Sequence, residues 1–213
     1  TREINLALRE LMHNIKAIIF DFGNVLLEWN PWHVYRRHFD NEEAMKAFFH
    51  EVDFAAWNAQ QDKGRTFNEG VADHSQKFPQ YAHLFQAYHD HWKDSIGDAF
   101  IGTVKILKRL KRVDYPLFGL SNWSAETFPF AREKYDFFDL FDDMVISAHV
   151  GFVKPEPEIY NLVLEKIGKP ARECLFIDDS LANIEQAKQM GFVTIHFTSP
   201  EQLEDELTHM GIF

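Results

Sequence analysis

The sequence predicts an α/β fold: a parallel five-stranded sheet with helices on both faces and a small α-helical domain inserted after the first strand. An apolar run of strand length lies near the start of the chain, and from about residue 99 similar runs alternate with helical patterns. Between Trp32 and Gly97 strand-like runs disappear, and apolar residues recur at spacings of three and four. Strands that alternate with helices indicate a parallel sheet with right-handed crossovers.

The first strand is predicted at residues 15–20, an apolar and largely β-branched run that ends at Asp21. Gly23 and Asn24 follow, and both residue types tolerate left-handed backbone, so the chain can turn there. Ligands of α/β sheets bind outside the carboxyl ends of the strands, which makes Asp21 a candidate site residue. A solvated turn aspartate after an ordinary strand fits this stretch equally well.

The inserted segment is predicted to contain three to five helices. Turn signals at residues 62–64 and 78–79 interrupt it. The expected domain limits are 15–30 and 98–213 for the core, 31–97 for the helical domain and 1–14 for an N-terminal extension. Apolar residues of the extension are helically spaced, which fits a docked helix and an interaction helix alike.

Four more strands are predicted at residues 116–120, 144–147, 174–177 and 193–196. Between them lie helical patterns at 125–134, 157–167 and 182–190. Gly168 and Gly191 follow two of these helices, where a left-handed residue commonly ends a helix.

Two later stretches offer groups that could bind an anion. Ser121 and Asn122 follow an apolar strand and open a helix, so they present a hydroxyl and free backbone N–H groups. Ordinary N-capping by Ser121 explains the same residues. Lys154 lies between a glycine turn and a helix-starting proline, which would hold it rigidly. An ordinary surface lysine also fits that position.

Asp178 and Asp179 end the strand predicted at 174–177. Two adjacent carboxylates at the end of a buried strand repel one another unless a cation lies beside them. Hard oxygen ligands suit Mg²⁺, which keeps several waters and takes one or two protein carboxylates. A helix N-cap would explain one of these acids and not both, so the pair predicts a Mg²⁺ site.

Charge and composition narrow the expected partners. The 213 residues include 22 Lys and Arg against 33 Asp and Glu, a formal charge of −11, which argues against nucleic acid or an anionic membrane as partner. Cys174 is the one cysteine, so no internal disulfide forms. No apolar stretch approaches the roughly 20 residues of a membrane span, and no signal peptide is visible. We therefore expect a cytoplasmic protein, either a monomer or a homodimer.

Together these stretches resemble the four signature motifs of the haloacid dehalogenase-like hydrolase superfamily. Asp21, Ser121, Lys154 and the pair Asp178-Asp179 stand in the family's order, and the resemblance extends from about residue 15 to residue 197. It implies a Rossmann-like core, with the helical insertion as the family's small α-helical cap. Within the superfamily the motifs are similar to those of bacterial sugar-phosphate phosphatases of the glucose-1-phosphate type.

The resemblance implies a Mg²⁺-dependent phosphatase that acts on small phosphorylated metabolites. Asp21 would attack phosphorus and form an aspartyl-phosphate, which water then hydrolyses. Asp21 and Asp179 would bind Mg²⁺ through their side chains, and Gly23 through its backbone carbonyl. Asp178 would orient a metal-bound water or Lys154 rather than bind the metal directly.

The same resemblance assigns the phosphoryl group to Lys154, Ser121 and the backbone N–H groups of Phe22, Gly23 and Asn122. In the cap, it places Trp29, Trp57 and the turn at residues 62–64, with Lys63 as its candidate, where substrate-facing residues of the family fall.

Gly23 departs from the family's pattern. Most phosphatases of the superfamily have a second aspartate there, which protonates the leaving group, and glycine cannot donate a proton. A missing general acid typically forfeits about 10²–10⁴-fold in rate, and less for good leaving groups. We therefore expect a bias toward activated esters such as sugar 1-phosphates. Asn183 also replaces the usual Asp. A 2-haloacid dehalogenase-type hydrolase and a catalytically weak phospho-ligand-binding protein stay open as alternatives.

Overall fold

The computed structural model describes residues 15–213, so the extension predicted at residues 1–14 lies outside the described residues. The strands, in chain order, are β1 (Ala17–Phe20), β2 (Leu27–Trp29), β3 (Ile96–Ala99), β4 (Leu117–Ser121), β5 (Asp143–Ile146), β6 (Cys174–Asp178) and β7 (Val193–His196). Five of them form a parallel sheet in the order β5-β4-β1-β6-β7. The predicted fold class is confirmed.

The helices, in chain order, are α1 (Trp32–Tyr35), α2 (Glu42–Glu51), α3 (Phe54–Asp62), α4 (Phe67–Lys77), α5 (Ala82–Asp90), α6 (Ile101–Arg112), α7 (Phe128–Lys134), α8 (Ser147–Val150), α9 (Pro157–Ile167), α10 (Leu181–Gln189) and α11 (Pro200–His209). Short 3₁₀ turns cover Pro79–Tyr81, Trp92–Ser95, Asp136–Leu140 and Ala171–Glu173. Among the described residues, no helix is long and apolar enough to cross a bilayer.

The central strand β1 is buried on both faces of the sheet. Ile18 and Phe20 point into a core that includes residues of α6 and α11. Ala17 and Ile19 point to the opposite side, against residues of α9 and α10. Side chains of a strand alternate between the two faces, so a run of apolar residues without polar interruption requires helices on both sides.

The chain leaves the core and returns to it through a two-stranded antiparallel ribbon of β2 and β3. The sequence did not predict β3, because Ile96 is its one large apolar residue and Gly97 and Asp98 are poor strand formers. The segment expected to be helical up to Gly97 therefore ends with the first residues of a strand. Between the two strands lie α1 to α5, which pack around aromatic rings such as Tyr35, Phe85 and Tyr88.

Two local details bear on the site. Asn24 has a left-handed backbone with φ of 55°, as its place in the turn after Asp21 predicts. Helix α7 begins at Phe128 rather than at residue 125, because Pro129 occupies the first turn and the preceding residues form turns after β4.

Candidate active site

Residues from four separate stretches of the chain converge at the carboxyl edge of the sheet. Strands β4 and β6 flank β1, so Ser121 and Asp178 end beside Asp21. The hydroxyl of Ser121 donates to Oδ1 of Asp21 at 2.7 Å. Lys154, from the loop before α9, places Nζ 2.9 Å from Oδ1 of Asp21 and 2.7 Å from Oδ2 of Asp178. Parallel strands thus bring together groups that lie up to about 157 positions apart in the chain.

The carboxyl group of Asp21 has one occupied and one free oxygen. Oδ1 accepts from the backbone N–H of Phe22 at 2.7 Å and from Ser121, and it contacts Lys154. Within residues 15–213, no hydrogen bond reaches Oδ2. The side chain is held in one orientation by the donors on Oδ1, and its second oxygen is available to a ligand.

Asp178 is fully buried, and both of its oxygens are occupied. Oδ2 accepts from Nζ of Lys154, and Oδ1 accepts from the backbone N–H of Ser180 at 2.8 Å. The amide of Asn183 donates to both oxygens, at 3.0 and 3.1 Å. An ionised aspartate at position 183 could not donate these hydrogen bonds. The contacts with Asp178 therefore explain why asparagine occupies this position. The arrangement suits the predicted orienting role of Asp178.

Lys154 is held at both ends. Its backbone N–H donates to Oδ1 of Asn122 at 2.7 Å, and the amide of Asn122 donates to the carbonyl of Lys154 at 2.9 Å. The side chain is only 1% exposed. Burial would lower the pKa of Lys154, but the negative charges of Asp178 and Asp21 outweigh it and raise that pKa above its ordinary value. The site therefore contains a fixed, buried ammonium group.

Carboxylates outnumber this ammonium group. Oxygens of Asp21, Asp178 and Asp179 lie within 4.8 Å of one another. Burial raises the pKa of Asp21 to about 7 against the opposing charge of Lys154, and both neighbouring aspartates add to the rise. Burial and the charge of Asp178 also raise the pKa of Asp179. A divalent cation with a preference for hard oxygen ligands fits this excess of negative charge, as the sequence predicted for Mg²⁺.

The family model for haloacid dehalogenase-like hydrolases matches residues 15–191, which is most of the chain. The chain belongs to this family. It is therefore a hydrolase, and the matched region includes all four stretches that meet at the sheet edge.

Curated relatives of this hydrolase have several activities in their names. The sesquiterpene phosphatase astK of Aspergillus oryzae is 29% identical over 187 residues, which are 86% of this chain and 90% of that protein. The D-ribitol-5-phosphate phosphatase of Bacteroides thetaiotaomicron is 24% identical, with 91% and 97% covered. The drimenol cyclase drtB of Aspergillus calidoustus is 24% identical over 92% of this chain, but the chain spans only 36% of the cyclase.

Solved structures show the same fold. A HAD family enzyme from Bacteroides thetaiotaomicron superposes with a TM-score of 0.70 at 22% identity, covering 87% of this chain and 95% of that one. That enzyme has also been solved in complex with magnesium and inorganic phosphate. The HAD-hydrolase YfnB from Bacillus subtilis, bound to magnesium, gives a TM-score of 0.70 at 22% identity, with 92% and 99% covered.

The hydrolase has a cavity of about 480 Å³ over the sheet edge, between the core and the cap. Its wall contains every site residue that was predicted in the core, except Phe22 and Asp178, which are fully buried. Trp29, predicted to face the substrate, lines the cavity as well.

The other two cap predictions do not fit the structure. Trp57 is 1% exposed, and its indole N–H donates to the carbonyl of Gly70 at 2.9 Å. Its ring packs against other aromatic rings of the cap, so its prediction as a substrate-facing residue is wrong. Lys63 lies outside the cavity wall and forms an ion pair of 2.6 Å with Glu156. Its charge joins the cap to the core instead of facing the cavity.

Asp62 is among the cap residues that line the cavity. The sequence placed the turn at residues 62–64 there, but with Lys63 and not Asp62 as its candidate. One face of α3, with the spacing of i, i+3, i+4 and i+7, contributes Ala55, Asn58, Ala59 and Asp62. This row of small and polar side chains was the available signal, because a helix face that packed in the cap core would be apolar.

Proposed function

We propose that this hydrolase is a Mg²⁺-dependent phosphatase, which removes phosphate from small phosphorylated metabolites through an aspartyl-phosphate on Asp21. The observation that carries the proposal is the convergence of Asp21, Lys154 and Ser121 on one cavity, with one oxygen of Asp21 free. The phosphatase relatives from Aspergillus oryzae and Bacteroides thetaiotaomicron support the same reaction class.

Electrostatics explain why a cation belongs in this site. A carboxylate 4 Å from a phosphate charge is repelled by about 1 kcal/mol in water and about 4 kcal/mol at an effective dielectric of 20. Lys154 offsets part of this repulsion. Asp21, Asp179 and the backbone carbonyl of Gly23 would hold Mg²⁺, which when bound supplies further positive charge to the equatorial oxygens of the phosphoryl group.

The residues then divide the reaction between them. Asp21 attacks phosphorus, the bond to the leaving oxygen breaks, and water later hydrolyses the aspartyl-phosphate to release inorganic phosphate. Ser121 and Lys154 contact Asp21 when no substrate is bound. With substrate present, they donate hydrogen bonds to the phosphoryl oxygens. The backbone N–H groups of Phe22, Gly23 and Asn122 provide further donors.

The cavity wall favours a leaving group with an apolar face. Trp29, Trp92 and Trp123 line it, together with Ala55 and Ala59. Indole rings pack well against the C–H face of a sugar or another flat, apolar group. Sugar 1-phosphates are therefore our candidate class, and they are the esters that the nucleophile loop can cleave without a proton donor at Gly23.

A panel of phosphorylated metabolites tests the proposal. Phosphate release is expected with Mg²⁺ and not with EDTA. Mg²⁺ at 100 times its dissociation constant should stabilise the folded protein by about 2.7 kcal/mol, or roughly 5–11 °C in Tm. Asp179→Asn should weaken both effects, because it removes a metal ligand, whereas Asp40→Asn at an exposed position should change neither.

Phosphate release that is equal in EDTA would contradict the metal's role. No release from any member of the panel, together with chloride release from 2-chloropropionate without metal, would replace the phosphatase by a dehalogenase-type hydrolase. Binding of phosphorylated compounds without turnover would mean that the protein binds phosphorylated ligands but does not hydrolyse them.

A further inference from the structure

The leaving oxygen of the proposed reaction needs a proton that the nucleophile loop does not supply. Gly23 cannot donate one, although the loop has room for a side chain: a Cβ there would lie 3.8 Å from Cβ of Trp29, an ordinary contact. Lack of space therefore does not explain why position 23 has no acidic residue. A proton donor elsewhere in the cavity would make an acid at position 23 dispensable.

The cap side of the cavity contributes such a carboxyl group, that of Asp62 at the end of α3. Its Oδ2 accepts from the amide of Asn58 at 2.9 Å. The backbone of Ser124, in the loop after β4, lies beside the carboxyl group and lowers its pKa. The hydroxyl of Ser147 donates to the backbone carbonyl of Asp62. Contacts from cap and core thus fix Asp62 where the two meet over the phosphate-binding loops.

The surroundings of Asp62 favour its protonated form. Burial raises the pKa of Asp62 to about 7, and the charge of Asp21 adds to the rise against the hydrogen bonds from Ser124 and Asn58. The end of α3 carries the negative end of the helix dipole, and its last turn contains no basic residue. Tyr88 is a further titratable group near Asp62, and burial raises the pKa of Tyr88 far above neutrality, so its hydroxyl stays uncharged.

No Lys or Arg in residues 15–213 forms an ion pair with Asp62, unlike Asp21 and Asp178, which share Lys154. Asp21 and Asp62 therefore have different environments. Asp21 faces a fixed ammonium group that favours its ionised, nucleophilic form, whereas Asp62 faces an amide, a backbone donor and the charge of Asp21. The fixed cation beside Asp21 and the absence, among the described residues, of one beside Asp62 allow the two carboxyl groups to take different roles, one as nucleophile and one as acid.

On the basis of the proposed phosphatase reaction, we propose that Asp62 is its general acid. As Asp21 forms its bond to phosphorus, the proton of Asp62 moves to the leaving oxygen, and the product departs as a neutral alcohol. In the second step, water attacks the aspartyl-phosphate and gives a proton back to the Asp62 carboxylate, and Asp21 and hydrogen phosphate are released. Esters of ordinary alcohols then become substrates along with activated ones.

The dependence of rate on the leaving group tests this role. For Asp62→Asn, we expect kcat/KM for phenyl phosphate, whose leaving group needs a proton, to fall by about 10²–10³-fold. For 2,4-dinitrophenyl phosphate, whose leaving group needs none, the change should stay within about threefold. Asparagine keeps the size of the side chain and its acceptor for Asn58, and Asp40→Asn, at an exposed cap position, should change neither rate.

A second substitution should restore the lost function. Gly23→Asp in the Asp62→Asn background returns a carboxyl group to the nucleophile loop, so phenyl phosphate turnover should recover by at least about tenfold. Equal losses for both substrates, or no recovery with Gly23→Asp, would overturn the role of Asp62. If Asp62→Asn does not fold, the wild-type rates decide: a steep dependence on leaving-group basicity means that no acid acts.

The two proposals fail in different ways. Wild-type protein that releases no phosphate from either aryl ester or from any metabolite of the panel overturns the phosphatase and, with it, the general acid. If the wild-type protein hydrolyses both esters and Asp62→Asn lowers kcat/KM equally for both, only the general-acid role of Asp62 is overturned.

Discussion

Asp21→Asn is expected to lose phosphate release by about 10⁴-fold or more, since an amide cannot act as the nucleophile. The substitution keeps the shape of the side chain. Its amide oxygen can still accept from Ser121 and from the backbone N–H of Phe22. The variant should therefore fold and bind substrate while turnover disappears, and initial rates at saturating substrate and Mg²⁺ measure the loss.

The matched control is Asp139→Asn, because Asp139 has a side chain that is 79% exposed and lies at a surface ion pair. It should retain wild-type turnover. An Asp21→Asn variant within about tenfold of the wild type would mean that another group attacks phosphorus. That result would remove the aspartyl-phosphate from the mechanism even if Mg²⁺ were still required.

Lys154→Met is expected to impair both stability and turnover. The ammonium group lies between Asp21 and Asp178, and removing it leaves two buried carboxylates without a counter-charge. Breaking a buried ion pair on one side costs about 3–5 kcal/mol, which corresponds to a fall in Tm of roughly 6–20 °C for a domain of this size. Loss of a charge beside the phosphoryl group should lower kcat by about 10²–10³-fold.

Lys63→Met provides the comparison, since Lys63 forms an ion pair with Glu156 in which its own side chain is 40% exposed. Exposed pairs contribute about 0–1 kcal/mol, so thermal unfolding of this variant should stay close to that of the wild type. If Lys154→Met unfolded at the same temperature as Lys63→Met, the ammonium group would not be offsetting the buried carboxylates.

The site residues of the core could be predicted because they stand at the ends of strands, and strand ends are visible in the sequence. In a parallel sheet buried on both faces, each strand is an apolar run, and its end is visible as the first polar residue. Asp21, Ser121 and Asp178 stand at such ends. Parallel pairing then places those ends at one edge whatever the strand order, and the resemblance to a known family added Lys154, whose loop alone was ambiguous.

The cap could not be predicted to the same depth, because a helical pattern does not tell which face of a helix meets a cavity. Helix α3 shows the difficulty: Trp57 lies in the cap core, whereas Asp62, five residues later, lines the cavity. An aromatic residue in a cap suggests a substrate platform, yet burial of its large apolar surface is the stronger tendency. The role of Asp62 depends on the contacts of Ser124 and Ser147 from the core, which follow only from tertiary packing.

A crystal structure of the hydrolase with Mg²⁺ and beryllium fluoride, which mimics a phosphoryl group on a carboxylate, tests the central claim most directly. We expect beryllium on one oxygen of Asp21, Mg²⁺ between the other oxygen and Asp179, and the donors of Lys154 and Ser121 on fluorine atoms. Beryllium fluoride on another residue, or Mg²⁺ bound away from both aspartates, would contradict the proposed mechanism.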